Sequence, residues 1–303
     1  MTNITKNIGA PLLSNESTIS DYIILIKPGV LYLVVFTSII PIFIAPSSVL
    51  IMQKIAIIIA IALASSGSAA LNMWYDSDID AVMKRTQKRP TVTGAIPPSE
   101  ALAFGLLVNL LAITVMALCA NYKAAGLLAF ASFFYSVIYT IGLKRYTIQN
   151  IVIGGAAGAL PPVIAWTGLT DQWNFAPWLF FFIIFFWTPP HFWALAIHYQ
   201  KDYKDCNVPM MVNVMGDEYT KKQILLYTII MIFSTILPYV FGICGHLYLI
   251  SAIALGLRFF YLATKILENN SYAIKTFLFS IFYLFGIFTA ILADHFLLKY
   301  FPL

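Results

Sequence analysis

From residue 24 onward the chain alternates long apolar runs with short polar joins. Charges and turn residues divide it into nine runs, at 24–46, 50–71, 100–120, 124–142, 150–168, 176–198, 222–243, 245–264 and 276–297. A helix needs about 20 mostly apolar residues to cross a bilayer. The pattern therefore predicts an all-α, polytopic membrane protein with nine transmembrane helices. The break between the seventh and eighth runs is thin and rests on Cys244-Gly245-His246. No internal repeat stands out, and the polar joins are loops. Residues 21–303 read as a single transmembrane domain behind a polar tail at 1–20.

Composition strengthens this picture. Of 303 residues, 60% are hydrophobic and 10% charged, a balance foreign to soluble domains. The basic residues set the orientation. With the N-terminus cytoplasmic, only Lys54, Lys123 and Lys299 of the 18 lysines and arginines fall outside. The odd span count then puts the C-terminus outside. The net charge of +5 reads as topology and lipid contact, with no nucleic-acid partner. The tail holds Glu16 and no arginine, unlike a transit peptide, and the first apolar run is too long for a cleaved signal. Cys119, Cys206 and Cys244 lie far apart and imply neither a disulfide framework nor a zinc site.

Functional residue types crowd the joins on the cytoplasmic side. Asn72, Asp76 and Asp80 fall at i, i+4 and i+8, within an arc of about 80° on a helix. Asp78 points the other way. Lys84, Arg85, Lys88 and Arg89 follow directly. One reading is a solvated helix end. The other is a ligand site, because carboxylates on one face beside an apolar span are costly unless partnered. A diphosphate held through divalent metal suits such a stripe, and Mg²⁺ takes one or two carboxylates plus phosphate oxygens. A second join carries Lys144-Arg145. The positive-inside bias alone accounts for this pair, and it could equally hold a leaving diphosphate. A third carries Asp202 and Asp205, at i and i+3, which read either as surface ion pairs or as a second metal-binding wall.

Within the sixth run, Trp187-Thr188-Pro189-Pro190-His191-Phe192-Trp193 puts two prolines inside a span, where they must line a cavity or a protein-packed kink. A histidine there is either a functional group or a hydrogen-bonded packing residue. On a regular helix His191 projects along the same wall as Asp202, about 16 Å deeper. The Gly154-x-x-x-Gly158 spacing in the fifth run predicts close helix contact. Some of the many aromatic rings could line an apolar tunnel and shield a carbocation.

Asn72-x-x-x-Asp76-x-x-x-Asp80 resembles the signature of the UbiA superfamily of intramembrane prenyltransferases. Within it the chain is most similar to the haem-farnesylating branch. Three blocks carry that closer match: Asp80-A-V-Met83-K-Arg85-Thr86 with Arg89-Pro90; Leu143-Lys144-Arg145-x-Thr147-x-x-Asn150 running to Pro161-Pro162; and Trp187 to Trp193, followed by Asp202-Tyr203. The second superfamily motif is commonly D-x-x-x-D, whereas here the acids are Asp202 and Asp205. The resemblance implies nine helices around a central cavity in a bacterial inner membrane. It implies farnesyl transfer from farnesyl diphosphate to a vinyl group of haem B, giving haem O. Asp76, Asp80 and Asp202 are implied Mg²⁺ ligands, and with His191 the implied catalytic residues. Asn72, Arg85, Lys144, Arg145, Asn150 and Asp205 are implied substrate contacts. Haem A synthase or terminal-oxidase assembly is an implied downstream partner. A UbiA-type aromatic prenyltransferase and a transporter are the rival readings.

Overall fold

The computed structural model describes residues 17–300, so residues 1–16 of the expected tail lie outside it. The first helix, α1 (Ile19–Leu25), starts within the expected tail. Thr18 caps it: its side chain accepts from the Asp21 N–H, and Asp21 returns the bond. Helix α2 spans Pro28–Ile44. The two form one bent unit, at 60°. Pro28 disfavours right-handed helix at the residue before it, and Lys27 adopts the left-handed region, at φ 53°.

Helix α3 (Ile51–Tyr75) leads through short α4 (Ser77–Val82) and α5 (Pro90–Thr93) to α6 (Pro98–Cys119). Helix α7 (Tyr122–Phe133) continues as a π-helix over Phe134–Leu143. The fifth run is two helices, α8 (Asn150–Ala159) and α9 (Pro161–Thr170), because Pro161 cannot continue the ladder of the first. Then come α10 (Ala176–His198), short α11 (Gln200–Asp205) and α12 (Met211–Val214), and three long helices: α13 (Asp217–Val240), α14 (His246–Glu268) and α15 (Tyr272–Tyr300). Among the described residues eight helical segments are long and apolar enough to cross a membrane, nine with the bent pair. The expected span count holds on that reading. No strand occurs among the described residues.

Helix α3 packs along α6, and α10 is flanked by α8, α13 and α15. The two prolines do not interrupt α10; Thr188, Pro189, Pro190 and His191 are all buried in protein. The glycine expectation needs correction. A Cβ at Gly154 would run into the Tyr139 ring of the π-helix, and one at Gly155 would lie 3.0 Å from Thr188 of α10. Gly158 has nothing within 4 Å. The close approach therefore belongs to the adjacent pair Gly154 and Gly155, which seats α8 between the π-helix and α10.

Candidate active site

The stripe survives the end of α3. Asp76 follows the helix, yet its N–H bonds the Asn72 carbonyl at 3.0 Å, and the Asp80 N–H bonds the Asp76 carbonyl at 2.8 Å. The i, i+4 spacing thus passes unbroken into α4. Asn72, Asp76 and Asp80 are buried, at 4%, 0% and 2% exposure, whereas the Asp78 side chain is 64% exposed. The solvated-helix-end reading does not fit burial of this depth.

Each member of the stripe holds a cation from a different segment. Lys27 Nζ donates to Asn72 Oδ1 at 2.5 Å. Lys144 Nζ donates to Asp76 Oδ2. Arg89 donates to Asp80 Oδ2 at 2.5 Å. Asn72 is the hub: its Nδ2 donates to Asp76 Oδ2 at 2.8 Å and to Thr140 Oγ1 at 3.0 Å. Thr140 in turn donates to the Tyr135 carbonyl five residues earlier. The wider π turn thus brings Thr140 and Lys144 onto the end of α3; such turns recur at functional sites. Buried charges left unpaired cost several kcal/mol each, so this interlock is what lets two carboxylates stand at the end of an apolar span.

Arg145 also has a partner within the protein. Its guanidinium forms a fork with Asp78, both bonds at 2.7 Å, and donates to the Tyr75 carbonyl at 3.0 Å. It also lies over the Tyr75 ring and 3.6 Å from Asp76 Oδ1. These bonds hold the Asp78 carboxyl below the usual carboxylate range. The fork should therefore persist down to the ordinary carboxylate pKa and open only as pH falls through the lowered value. Titrating Asp78 by carbon-detected NMR should show that depression, and Arg145→Gln should abolish it.

The third join packs on the same end. Cys206 Sγ lies 3.6 Å from the Ile79 carbonyl, and Asn150 Nδ2 donates to the Thr147 and Pro209 carbonyls at 2.6 and 3.4 Å. Asn150 is thus a loop brace, and its Oδ1 is buried without a partner. Arg85 bears on the Tyr203 hydroxyl, lowering a pKa that burial raises. Asp205 lines an open cleft of about 390 Å³ with Asp78, Arg145 and Cys206.

The expected Asp76, Asp80 and Asp202 trio is not assembled. No group of three or more metal-ligating side chains is gathered among the described residues. The break at Tyr199 places Asp202 on the separate helix α11, while Lys144 and Arg89 occupy the inner carboxylates. The donor chemistry still suits a hard cation: Asp76 Oδ1 is a buried oxygen without a hydrogen bond, and Asp80 brings a second carboxylate.

Beside this cluster a narrower cleft of about 100 Å³ runs between α2, α3, α7, α8 and α9. Small residues line it, among them Ala64, Ser68, Ala131 and Gly158, and Lys27 lines it too. The lysine bonded to Asn72 therefore marks where polar cluster and apolar cleft meet.

His191 forms a second centre. Trp187 stacks on its ring at 4.2 Å between centroids, and Phe277 lies at 4.7 Å. Its Nδ1 meets Ser280 Oγ at 2.5 Å, and Trp187 Nε1 donates to the Ser280 carbonyl at 2.8 Å. The regular-helix ruler from Asp202 fails at the same Tyr199 break. Lys27, Thr140 and Ser280 have no counterpart among the expected site residues. For Lys27 a signal existed: it is a charged residue inside an apolar run. Thr140 and Ser280 reach their partners over sequence separations of 68 and 89, which no local spacing reveals.

A model of the UbiA prenyltransferase family matches residues 33–287. A curated protoheme IX farnesyltransferase of Rickettsia bellii is 47% identical over 292 residues, covering 95% of this chain and 97% of that one. A solved digeranylgeranylglyceryl phosphate synthase superposes with a TM-score of 0.76 at 16% identity, over 91% of this chain and 98% of that one. A UbiA homolog from Archaeoglobus fulgidus, solved with GPP and Mg²⁺, superposes with a TM-score of 0.65 at 16% identity, over 89% and 99%.

Proposed function

The chain belongs to the UbiA prenyltransferase family, and from that premise we propose that it transfers a farnesyl group from farnesyl diphosphate to a vinyl group of protohaem IX, giving haem O. The carrying observation is the buried Asn72, Asp76 and Asp80 cluster, with its basic partners, at the mouth of a cleft lined by small residues. A diphosphate and an apolar chain on one molecule match those two halves. The acceptor follows from the similarity to protoheme IX farnesyltransferases across nearly the whole chain. This multi-pass membrane protein sits in the inner membrane with its polar cluster on the cytoplasmic side.

Asp76 and Asp80 would hold Mg²⁺ through their oxygens, with Asp202 facing the diphosphate from α11. Bound there, the metal supplies positive charge to the leaving oxygens. Lys27, Lys144 and Arg89 neutralise the departing diphosphate, acting where negative charge grows in the transition state. Arg145 keeps α4 and the Lys144 loop together through Asp78. The C–O bond breaks and the diphosphate leaves with the electron pair. The packed apolar walls exclude water from the allylic cation, which would otherwise become farnesol. The vinyl group then forms the new C–C bond, and one water adds hydroxide to the remaining cationic carbon and releases a proton. His191 would serve the acceptor.

Haem profiling by mass spectrometry, in cells with and without the protein, tests this reading. Haem O present only with the protein supports it; an unchanged profile overturns it. The two halves of the site should also separate. Ser68→Phe should fill the cleft and weaken farnesyl diphosphate about tenfold or more, as loss of two or more buried methylenes would. Affinity for inorganic diphosphate should stay the same. Equal losses for both ligands would show that the chain does not use this cleft.

A further inference from the structure

The surroundings of His191 determine which of its nitrogens carries the proton. A serine hydroxyl has one proton to give. Ser280 gives its proton to the Phe277 carbonyl, at 2.6 Å. Its oxygen must therefore accept at His191, so Nδ1 carries the hydrogen. A neutral imidazole has only one N–H, which leaves Nε2 with a bare lone pair. Trp187 and Phe277 cover the two ring faces. Trp187 also ties down the Ser280 backbone, fixing both partners of the Nδ1 bond. Among the described residues the one side-chain hydrogen bond of His191 is that of Nδ1. His191 is 8% exposed and Ser280 0%, so this is a built and rigid arrangement with one donor atom unused.

We propose that Nε2 of His191 is an axial ligand to the iron of the porphyrin acceptor, and that Ser280 is the positioning residue that fixes the tautomer and ring orientation. An imidazole clamped on both faces and anchored at Nδ1 can offer only its edge, as axial ligation requires. Partners that hold the second nitrogen of a metal-bound histidine typically change metal affinity 10–100-fold when removed. The inference rests on haem being the acceptor.

The test uses the purified full-length protein in lipid nanodiscs, titrated with haem B. Affinity is read from the Soret band and ligation from the iron–histidine band in the resonance Raman spectrum of the ferrous form. The wild type should show that band and His191→Ala should lose it. Ser280→Ala should weaken haem binding about tenfold or more and shift the band, while Ser280→Thr keeps the hydroxyl and both readouts. Binding of a farnesyl diphosphate analogue reports folding, and Ser280→Cys, with a weak acceptor of similar shape, replaces alanine should that variant unfold. If a folded Ser280 variant without the hydroxyl matches wild type while His191→Ala loses the band, the role of Ser280 is overturned and iron ligation stands. If His191→Ala keeps the band, both are overturned. If the wild type binds no haem yet farnesylates another acceptor, the acceptor reading fails instead.

Discussion

Asp76→Asn and Asp80→Asn each lower kcat/KM for farnesyl transfer by about 100-fold or more, the scale of losing one preorganised electrostatic contact and equivalent to about 2.7 kcal/mol. Both changes keep shape and remove charge. Asp78→Asn stays within a few-fold, because its exposed carboxylate braces Arg145 and does not face the cluster. Asp76→Asn also strands Lys144, whose partner is gone, so some loss of stability accompanies it. The double variant Asp76→Asn/Lys144→Met removes both charges and separates the two effects. It should recover the melting temperature and leave transfer as low as before. Recovery of transfer with stability would mean that Asp76 serves only to hold Lys144. Equal tolerance at 76, 78 and 80 in a haem O assay would remove the basis for the stripe altogether.

Metal removal is the second large effect. Mg²⁺ binds through one or two carboxylates together with phosphate oxygens, and Asp76 and Asp80 provide that pair. Chelation with EDTA should reduce transfer about 1000-fold or more, since the charge on the leaving oxygens is then met by side-chain cations alone. Adding Mg²⁺ should restore it. In the ligand-free arrangement Lys144 and Arg89 lie on the same carboxylates. Mg²⁺ affinity should therefore rise in Lys144→Met, measured calorimetrically without substrate, while diphosphate affinity falls. Full transfer in metal-free membranes would assign the diphosphate to Lys27, Lys144 and Arg89 without a cation.

The long helices were legible because burial in lipid demands about 20 apolar residues in a row, and charges mark where those runs stop. The Asn72, Asp76 and Asp80 stripe was legible for a related reason: helical periodicity continues through the α3–α4 junction by the Asp80 to Asp76 bond. Breaks inside runs do not show in hydropathy, although Pro28 and Pro161 mark two of them. The left-handed turn at Lys27, the division at Leu160 and the π-helix over Phe134–Leu143 leave hydropathy unchanged. The ruler from His191 to Asp202 presumes that α10 and α11 form one helix, and the break at Tyr199 removes it. The sequence places Arg145 beside the stripe without revealing its partner within the protein, the carboxylate of Asp78, which takes the guanidinium in a bidentate fork. In the sequence Lys27 reads as a topology signal, and only the fold shows it touching Asn72 at the cleft mouth.

The most direct test of the account is reconstitution. The purified protein in lipid vesicles is given farnesyl diphosphate, haem B and Mg²⁺, and the porphyrin product is identified by mass spectrometry. Haem O should form, with release of one diphosphate per haem, and should be lost in Asp80→Asn. Unmodified haem B, alongside farnesylation of a phenolic acceptor supplied in the same vesicles, would contradict it.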